Sequence, residues 1–125
     1  MFSYKRADRV RELMLEEISA IIRDEVKDPG VGFVTVTAVE VTGNLRHANV
    51  FISPMGTDKE MAGTFKAIVR AASFIRKQLG KRISMKYLPE LSFKWDRSPE
   101  ESDKINRILN SLEEKPAEKY EEDIE

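Results

Sequence analysis

The feature that most limits the fold is the order in which apolar spacing changes along the chain. From about Arg9 to Val26, the residues Val10, Leu13, Met14, Ile18, Ile21, Ile22 and Val26 recur at helical spacing. Arg11, Glu12, Glu16, Arg23 and Lys27 occupy the other face. Asp28-Pro29-Gly30-Val31-Gly32 stops this amphipathic helix, because proline and glycine disfavour its continuation. Phe33 to Val41 is rich in valine and threonine and reads as a strand. Thr42-Gly43-Asn44 supplies a turn, and from His47 to Ser53 the residues Ala48, Val50 and Ile52 alternate with His47, Asn49 and Phe51. The two strands are expected to pair as an antiparallel hairpin, with a candidate bulge where alternation breaks between Val36 and Val39.

Helical spacing resumes after an N-cap at Thr57 or Asp58, through Met61, Phe65, Ile68, Ala72, Ile75 and Leu79, and ends near Gly80. Met85 to Trp95 reads as strand again, interrupted by Leu88-Pro89-Glu90, where proline points to an edge or a bulge. Ser98-Pro99-Glu100-Glu101 combines an N-cap, a proline at the first helical position and a glutamate three residues after the cap. Ile105, Ile108, Leu109 and Leu112 then mark a final helix. The predicted order is α-β-β-α-α-β-α, an α+β chain whose 125 residues suit one domain. That domain is expected over 1–114, followed by an acidic, apolar-poor tail over 115–125 expected to be disordered.

The sequence contains no cysteine, which excludes disulfides, thiolate metal sites and a cysteine nucleophile. No apolar run approaches the roughly 18 residues of a membrane span. The N-terminus passes straight into a charged helical pattern without a signal-peptide apolar region, so a soluble cytoplasmic protein is expected. The formal net charge of −1 conceals a strong asymmetry. Residues 1–62 carry 8 basic and 10 acidic side chains, residues 63–97 carry 9 and 2, and residues 98–125 carry 4 and 10. The middle block is therefore a local positive field able to meet an anionic partner.

Within that block, Lys66, Arg70, Ser73, Lys77 and Lys81 fall on one narrow stripe at about 100° per residue, opposite the apolar positions. Arg76, Arg82 and Lys86 flank it. A charge run is usually a solvated face, but such faces interleave glutamate at helical spacing, and residues 61–89 contain no acid at all. A line of cations without acids can follow a phosphate backbone, releasing counterions as it binds. The candidate RNA contacts are accordingly Arg70, Arg76, Lys77, Lys81, Arg82 and Lys86, with Lys66 and Ser73 on the stripe and Arg46 and His47 as hairpin contributors.

Aromatic rings often complement such cations by stacking on bases. Phe74, Tyr87, Phe93 and Trp95 lie in or beside the block. Phe93 reads as core, Phe74 falls off the apolar face near the cations, and Trp95 fits either role. His47 is the only histidine, so no metal site and no cofactor are expected. Glu90 and Asp96 suggest an acid–base pair only superficially, since no nucleophile or oxyanion arrangement accompanies them. Gly30-Val31-Gly32 follows a helix and precedes a strand, the reverse of a phosphate-cradling loop.

Several segments together resemble the ribosome-binding factor A family, over roughly Arg9 to Leu112. They are Arg9-Val10, Asp28-Pro29-x-x-Gly32, Phe74-Ile75-Arg76-x-x-Leu79-Gly80-Lys81 and, most specific, Pro89-Glu90-Leu91-x-Phe93-x-x-Asp96-x-Ser98. The resemblance implies a type II KH-like domain, a three-stranded sheet with helices on one face. It also implies a helix-kink-helix in place of the Gly-x-x-Gly loop with which ordinary KH domains clamp nucleotides. No Gly-x-x-Gly occurs in this sequence.

The family marks its kink with Ala-x-Gly. Here the residues are Ala71-Ala72-Ser73, a departure that places serine where the family has glycine and divides the stripe at Ser73. The resemblance further implies a non-enzymatic, monomeric maturation factor that binds the free 30S subunit and 16S rRNA. It would assist late rRNA processing and folding, increasingly so in the cold. Three rival readings are a generic single-stranded-RNA-binding KH-like protein, a protein-interaction module using the hairpin edge, and an enzyme acting through Glu90 and Asp96. The missing Gly-x-x-Gly weighs against the first.

Overall fold

The computed structural model describes residues 6–114. They form α1 (Arg6–Asp24), β1 (Val34–Val41), β2 (His47–Pro54), α2 (Asp58–Arg70), α3 (Ala72–Arg82), β3 (Glu90–Trp95) and α4 (Ser98–Glu114). The acidic tail over 115–125 and the side chain of Leu112 lie outside the described residues. The element order is the expected one. In the sheet, β2 is central, antiparallel to β1 and parallel to β3. A parallel pair needs a long crossover, and α2 and α3 provide it.

The hairpin register turns on one extra residue. Val36 pairs with Ile52 and Ala38 with Phe51, which leaves Thr37 as the bulge. Without it, Val39 and Val41 would point away from the helices while Val34 and Val36 point toward them; the bulge restores all four to one side. Thr37 is held by its hydroxyl, which donates to Asp96 Oδ2 at 2.7 Å and to the Phe51 carbonyl at 3.3 Å.

Ala48, Val50 and Ile52 of β2 face a single core with Met14, Ile18 and Ile21 of α1, Ile68 of α2 and Ile75 and Leu79 of α3. These helices therefore lie on one face of the sheet, as a KH-like domain requires, and burial of their apolar stripes is the main term favouring the fold. Trp95 belongs to the edge of this layer, stacked on Phe65 of α2 with ring centroids 5.5 Å apart. Phe93 is buried, as the sequence suggested.

Two loops fix how the helices sit. In the Asp28–Gly32 turn, Asp28 Oδ1 accepts the Gly30 amide at 2.8 Å, while buried Thr64 of α2 accepts the Gly32 amide through its hydroxyl oxygen at 3.0 Å. Before α2, Gly56 has φ +123°, and a Cβ there would lie 2.7 Å from Glu60 Oε1, so glycine is required. That carboxylate is committed to a capping box: it accepts the Thr57 amide at 2.8 Å, while Thr57 Oγ1 accepts the Glu60 amide at 3.1 Å.

One expectation needs correction. Met85–Pro89 is not strand: β3 begins at Glu90, because the carbonyls of Leu88 and Pro89 bond to a side chain of α3 instead of a neighbouring strand. The final helix is present, but its apolar residues Ile105, Ile108 and Leu109 are exposed and do not join the core. Its first amide, that of Ser98, is accepted by Asp96 Oδ1 at 2.9 Å. No helix among the described residues is long and apolar enough to cross a membrane.

Candidate nucleic-acid interface

The α2–α3 unit is a broken helix, and the break lies at Ala71, two residues before the serine that replaces the family's glycine. Ala71 has φ −87° and ψ 2°, so its peptide leaves the helical path. Its amide is shared between the carbonyls of Ala67 and Ile68, both at 3.0 Å, and its carbonyl accepts the Ile75 amide at 2.8 Å to start α3. Ala72 is already helical and Ser73 sits exposed in the first turn of α3. The cationic stripe is thus divided at Ala71, with Lys66 and Arg70 before the break and Ser73, Lys77 and Lys81 after it.

The eight cations named from the sequence have very different surroundings. Arg70 reaches back 42 residues to Asp28, with Nη2 3.1 Å from Oδ2, although its side chain stays 62% exposed. Arg76 turns inward: Nε donates to the Pro89 carbonyl at 2.9 Å, Nη2 to the Leu88 carbonyl at 2.7 Å, and Glu90 lies 3.4 Å away. Arg82 bridges to α1, donating to Glu17 at 3.0 Å and to Glu25, and the two carboxylates hold its guanidinium above its ordinary value. Lys66, Lys77 and Lys81 are exposed and have no ion pair among the described residues. The arginines are joints of the fold, and the lysines are what water sees.

Arg46, His47 and Lys86 form a second cationic area, between the β1–β2 turn and the loop leading to β3. The Arg46 guanidinium lies 4.5 Å from the Tyr87 ring centroid and Lys86 Nζ lies 5.5 Å from it. Arg76 fixes this loop through the two carbonyls just after Tyr87. A further constraint is the close approach of Leu88 to Gly80, where a Cβ would sit 3.2 Å from the leucine Cδ2. His47 is half-buried on the sheet, its Nε2 3.0 Å from Ser92 Oγ. Tyr87 is exposed and central to this cluster, whereas Phe74 stands exposed without a ring or cation contact among the described residues. The sequence places Tyr87 among four candidate rings but favours Phe74, because the partner of Tyr87, Arg46, is distant in the chain.

Glu90 and Asp96, the only acids of the block, are both engaged. Glu90 faces Arg76, while Asp96 accepts the Thr37 hydroxyl and the Ser98 amide. Those two hydrogen bonds, the Thr37 one foremost, hold the Asp96 carboxyl below the usual carboxylate range. Each acid has a structural task that accounts for its place. What the arrangement offers chemically is a surface of exposed lysines and an aromatic ring flanked by cations.

Comparison with known proteins agrees with this geometry. The family model for Ribosome-binding factor A matches residues 6–109. Ribosome-binding factor A of Staphylococcus epidermidis is 46% identical over 107 residues, 86% of this chain and 92% of that protein. The crystal structure of ribosome-binding factor A from Thermus thermophilus superposes with a TM-score of 0.65 at 22% identity, covering 74% of this chain and 97% of that one, a likeness of fold. A Thermus thermophilus ribosome binding factor A homology model, fitted into the cryo-EM map of a 30S complex, gives a TM-score of 0.53 at 26% identity over 72% of this chain and 90% of that one. The chain belongs to the ribosome-binding factor A family.

Proposed function

We propose that this protein is a non-enzymatic maturation factor that binds the free 30S subunit through its 16S rRNA, acting in the cytoplasm as a monomer. The observation that carries the reading is the cationic stretch 61–89 through α2 and α3, which has no acid of its own and leaves Lys66, Lys77 and Lys81 exposed on both sides of the break. Family membership supports the 30S subunit as the partner of the protein, since a homology model of a relative was fitted into the map of a 30S complex. Exposed lysines act as point charges that track phosphates without reading sequence. Binding energy of this kind favours one RNA arrangement over another, so assistance to late rRNA folding and processing is a population shift. Such help matters most in the cold, when misfolded RNA persists. The working unit is the KH-like domain over 1–114; the tail over 115–125 is read as a solvated acidic extension.

The test is cosedimentation of the full chain with isolated 30S and assembled 70S particles across a salt series. Preferential pelleting with 30S that weakens steeply with salt is the expected result. Equal binding to both particles, or none at low salt, refutes the reading.

A further inference from the structure

We propose that the cleft between the β1–β2 turn and the loop before β3 is a subsite for one unpaired nucleobase of RNA, stacked on Tyr87. Arg46 and Lys86 would hold the flanking phosphates. The inference rests on the RNA-binding reading above and adds to it a place, a ligand class and a ring.

The cleft has a volume of about 190 Å³ and is lined by Asn44, Leu45, Met85, Lys86 and Tyr87. That is several times the roughly 30 Å³ share of a water molecule. A cleft of this size suits one planar ring system, and a base paired and stacked within a helix has no free face to lay on Tyr87. Tyr87 remains 54% exposed although two cations approach it, so ring surface is left for a ligand.

The competing view is that Arg46 and Tyr87 merely clasp two loops together. Charge argues against this as the whole account. Two cations converge on one ring, and neither forms an ion pair among the described residues. Residues 41–57 and 61–89, which hold both walls, contain no aspartate or glutamate, and the adjoining Glu90 carboxylate faces Arg76. A loop clasp needs one cation and gains nothing from a second that repels it. An anionic, aromatic ligand satisfies both cations and the ring together.

The walls are also built to stay in place. Asn44 Oδ1 accepts the Arg46 amide at 3.0 Å and the Thr42 hydroxyl at 2.7 Å, which fixes the amide orientation and leaves Nδ2 as a donor for a base edge. Leu45 holds φ +60°, a left-handed conformation that a branched side chain adopts only when its surroundings impose it. On the opposite wall, the two bonds from Arg76 to the Leu88 and Pro89 carbonyls make it the positioning residue for Tyr87.

The experiment measures binding of the full chain to a fluorescein-labelled single-stranded RNA of about twelve nucleotides, and to a duplex of the same length, by anisotropy across a salt series. Tyr87→Leu is expected to weaken single-strand binding about ten-fold, the scale of one lost stacking contact. The salt dependence should not change, because a stacking contact releases no counterions. Tyr87→Phe should bind as wild type, and duplex binding should be untouched by either. In the wild type, 2-aminopurine in the single strand should be quenched on binding, a readout that needs no variant to fold. Undiminished single-strand binding by Tyr87→Leu, equal weakening on duplex, or no quench overturns the subsite while leaving the RNA-binding reading intact. Failure of the wild type to bind any RNA or 30S particle overturns the parent reading.

Discussion

The arginines and the lysines of the α2–α3 unit carry the same charge and share one stretch of sequence, yet the fold uses them in opposite ways. Arg70, Arg76 and Arg82 each tie α2 or α3 to another part of the chain: the Asp28 turn, the loop before β3, and α1. Lys66, Lys77 and Lys81 tie to nothing among the described residues. Guanidinium chemistry explains the split. A planar fork with several donors can grip two carbonyls or two carboxylates at once, as Arg76 and Arg82 do, whereas an ammonium is a hydrated point charge. A basic block is therefore two devices laid over one another, a set of joints and a set of contacts. Substitution should separate them.

The largest effect is expected from the contacts. Replacing Lys66, Lys77 and Lys81 together by alanine should weaken 30S or RNA binding on the order of a hundred-fold at moderate salt. The log–log salt slope should fall by about 1 for each lysine that meets a phosphate. The melting temperature should not fall. A variant that loses stability along with binding, or binding without any change of slope, would erase the distinction drawn between the two sets.

The joints should respond the other way. Arg76→Ala leaves the Leu88 and Pro89 carbonyls without their donor, and losing charge-assisted hydrogen bonds of this sort costs about 1–3 kcal/mol. For a domain of this size that is a drop of several degrees in melting temperature, measured by thermal unfolding. Arg76→Lys should recover little, because an ammonium cannot match the fork that spans both carbonyls. Of the two sets, only this one should move stability first and RNA binding second, through the loop carrying Tyr87.

Smaller again is Gly56→Ala, expected to destabilise by about 1–2 kcal/mol. The φ of +123° suits glycine alone, and the added methyl would press on the Glu60 carboxylate that completes the α2 cap. Urea unfolding at neutral pH measures it. RNA binding by the folded protein should be unchanged, since the cap sits at the far end of α2 from the break.

How much of this was legible in the sequence follows from the range of the interactions. Element order, the apolar stripes and the bulge near Thr37 are written in local periodicity, which a sequence displays directly. The fate of each cation is not local. Arg70 finds its partner 42 residues away and Arg82 finds Glu17 65 away, so the stripe looked uniform where the fold makes it heterogeneous. The break was expected over Ala71-Ala72-Ser73, and it lies at Ala71, the first of these, where the backbone leaves the helix without help from a side chain. The sequence points to a structural role for Glu90, but its partner, Arg76, is set by the fold. Tyr87 was one candidate ring among four, and what sets it apart is a turn, 41–47, that only tertiary structure brings near.

The smallest effect concerns acid, and it again separates joints from contacts. The Asp96 carboxyl is held below its ordinary value by the Thr37 hydroxyl and then by the Ser98 amide; the Gly30 amide foremost lowers Asp28, and the Thr57 amide lowers Glu60. In each case the unfolded chain takes up its proton first as pH falls. The stability these groups contribute is therefore fully present above an ordinary carboxylate value of about 4 and is lost as pH drops through their folded values. Wild-type urea midpoints should fall below about pH 4. Asp96→Asn should be less stable than wild type at neutral pH and approach it at a pH below the depressed folded value of Asp96, where the wild-type carboxyl is protonated too. The triple lysine variant should follow the wild-type acid profile, because its substitutions touch none of the bonds that titrate. An Asp96→Asn deficit of equal size at both pH values would show that Asp96 acts by shape alone, and a lysine variant with an altered acid profile would show that the contacts are joints after all.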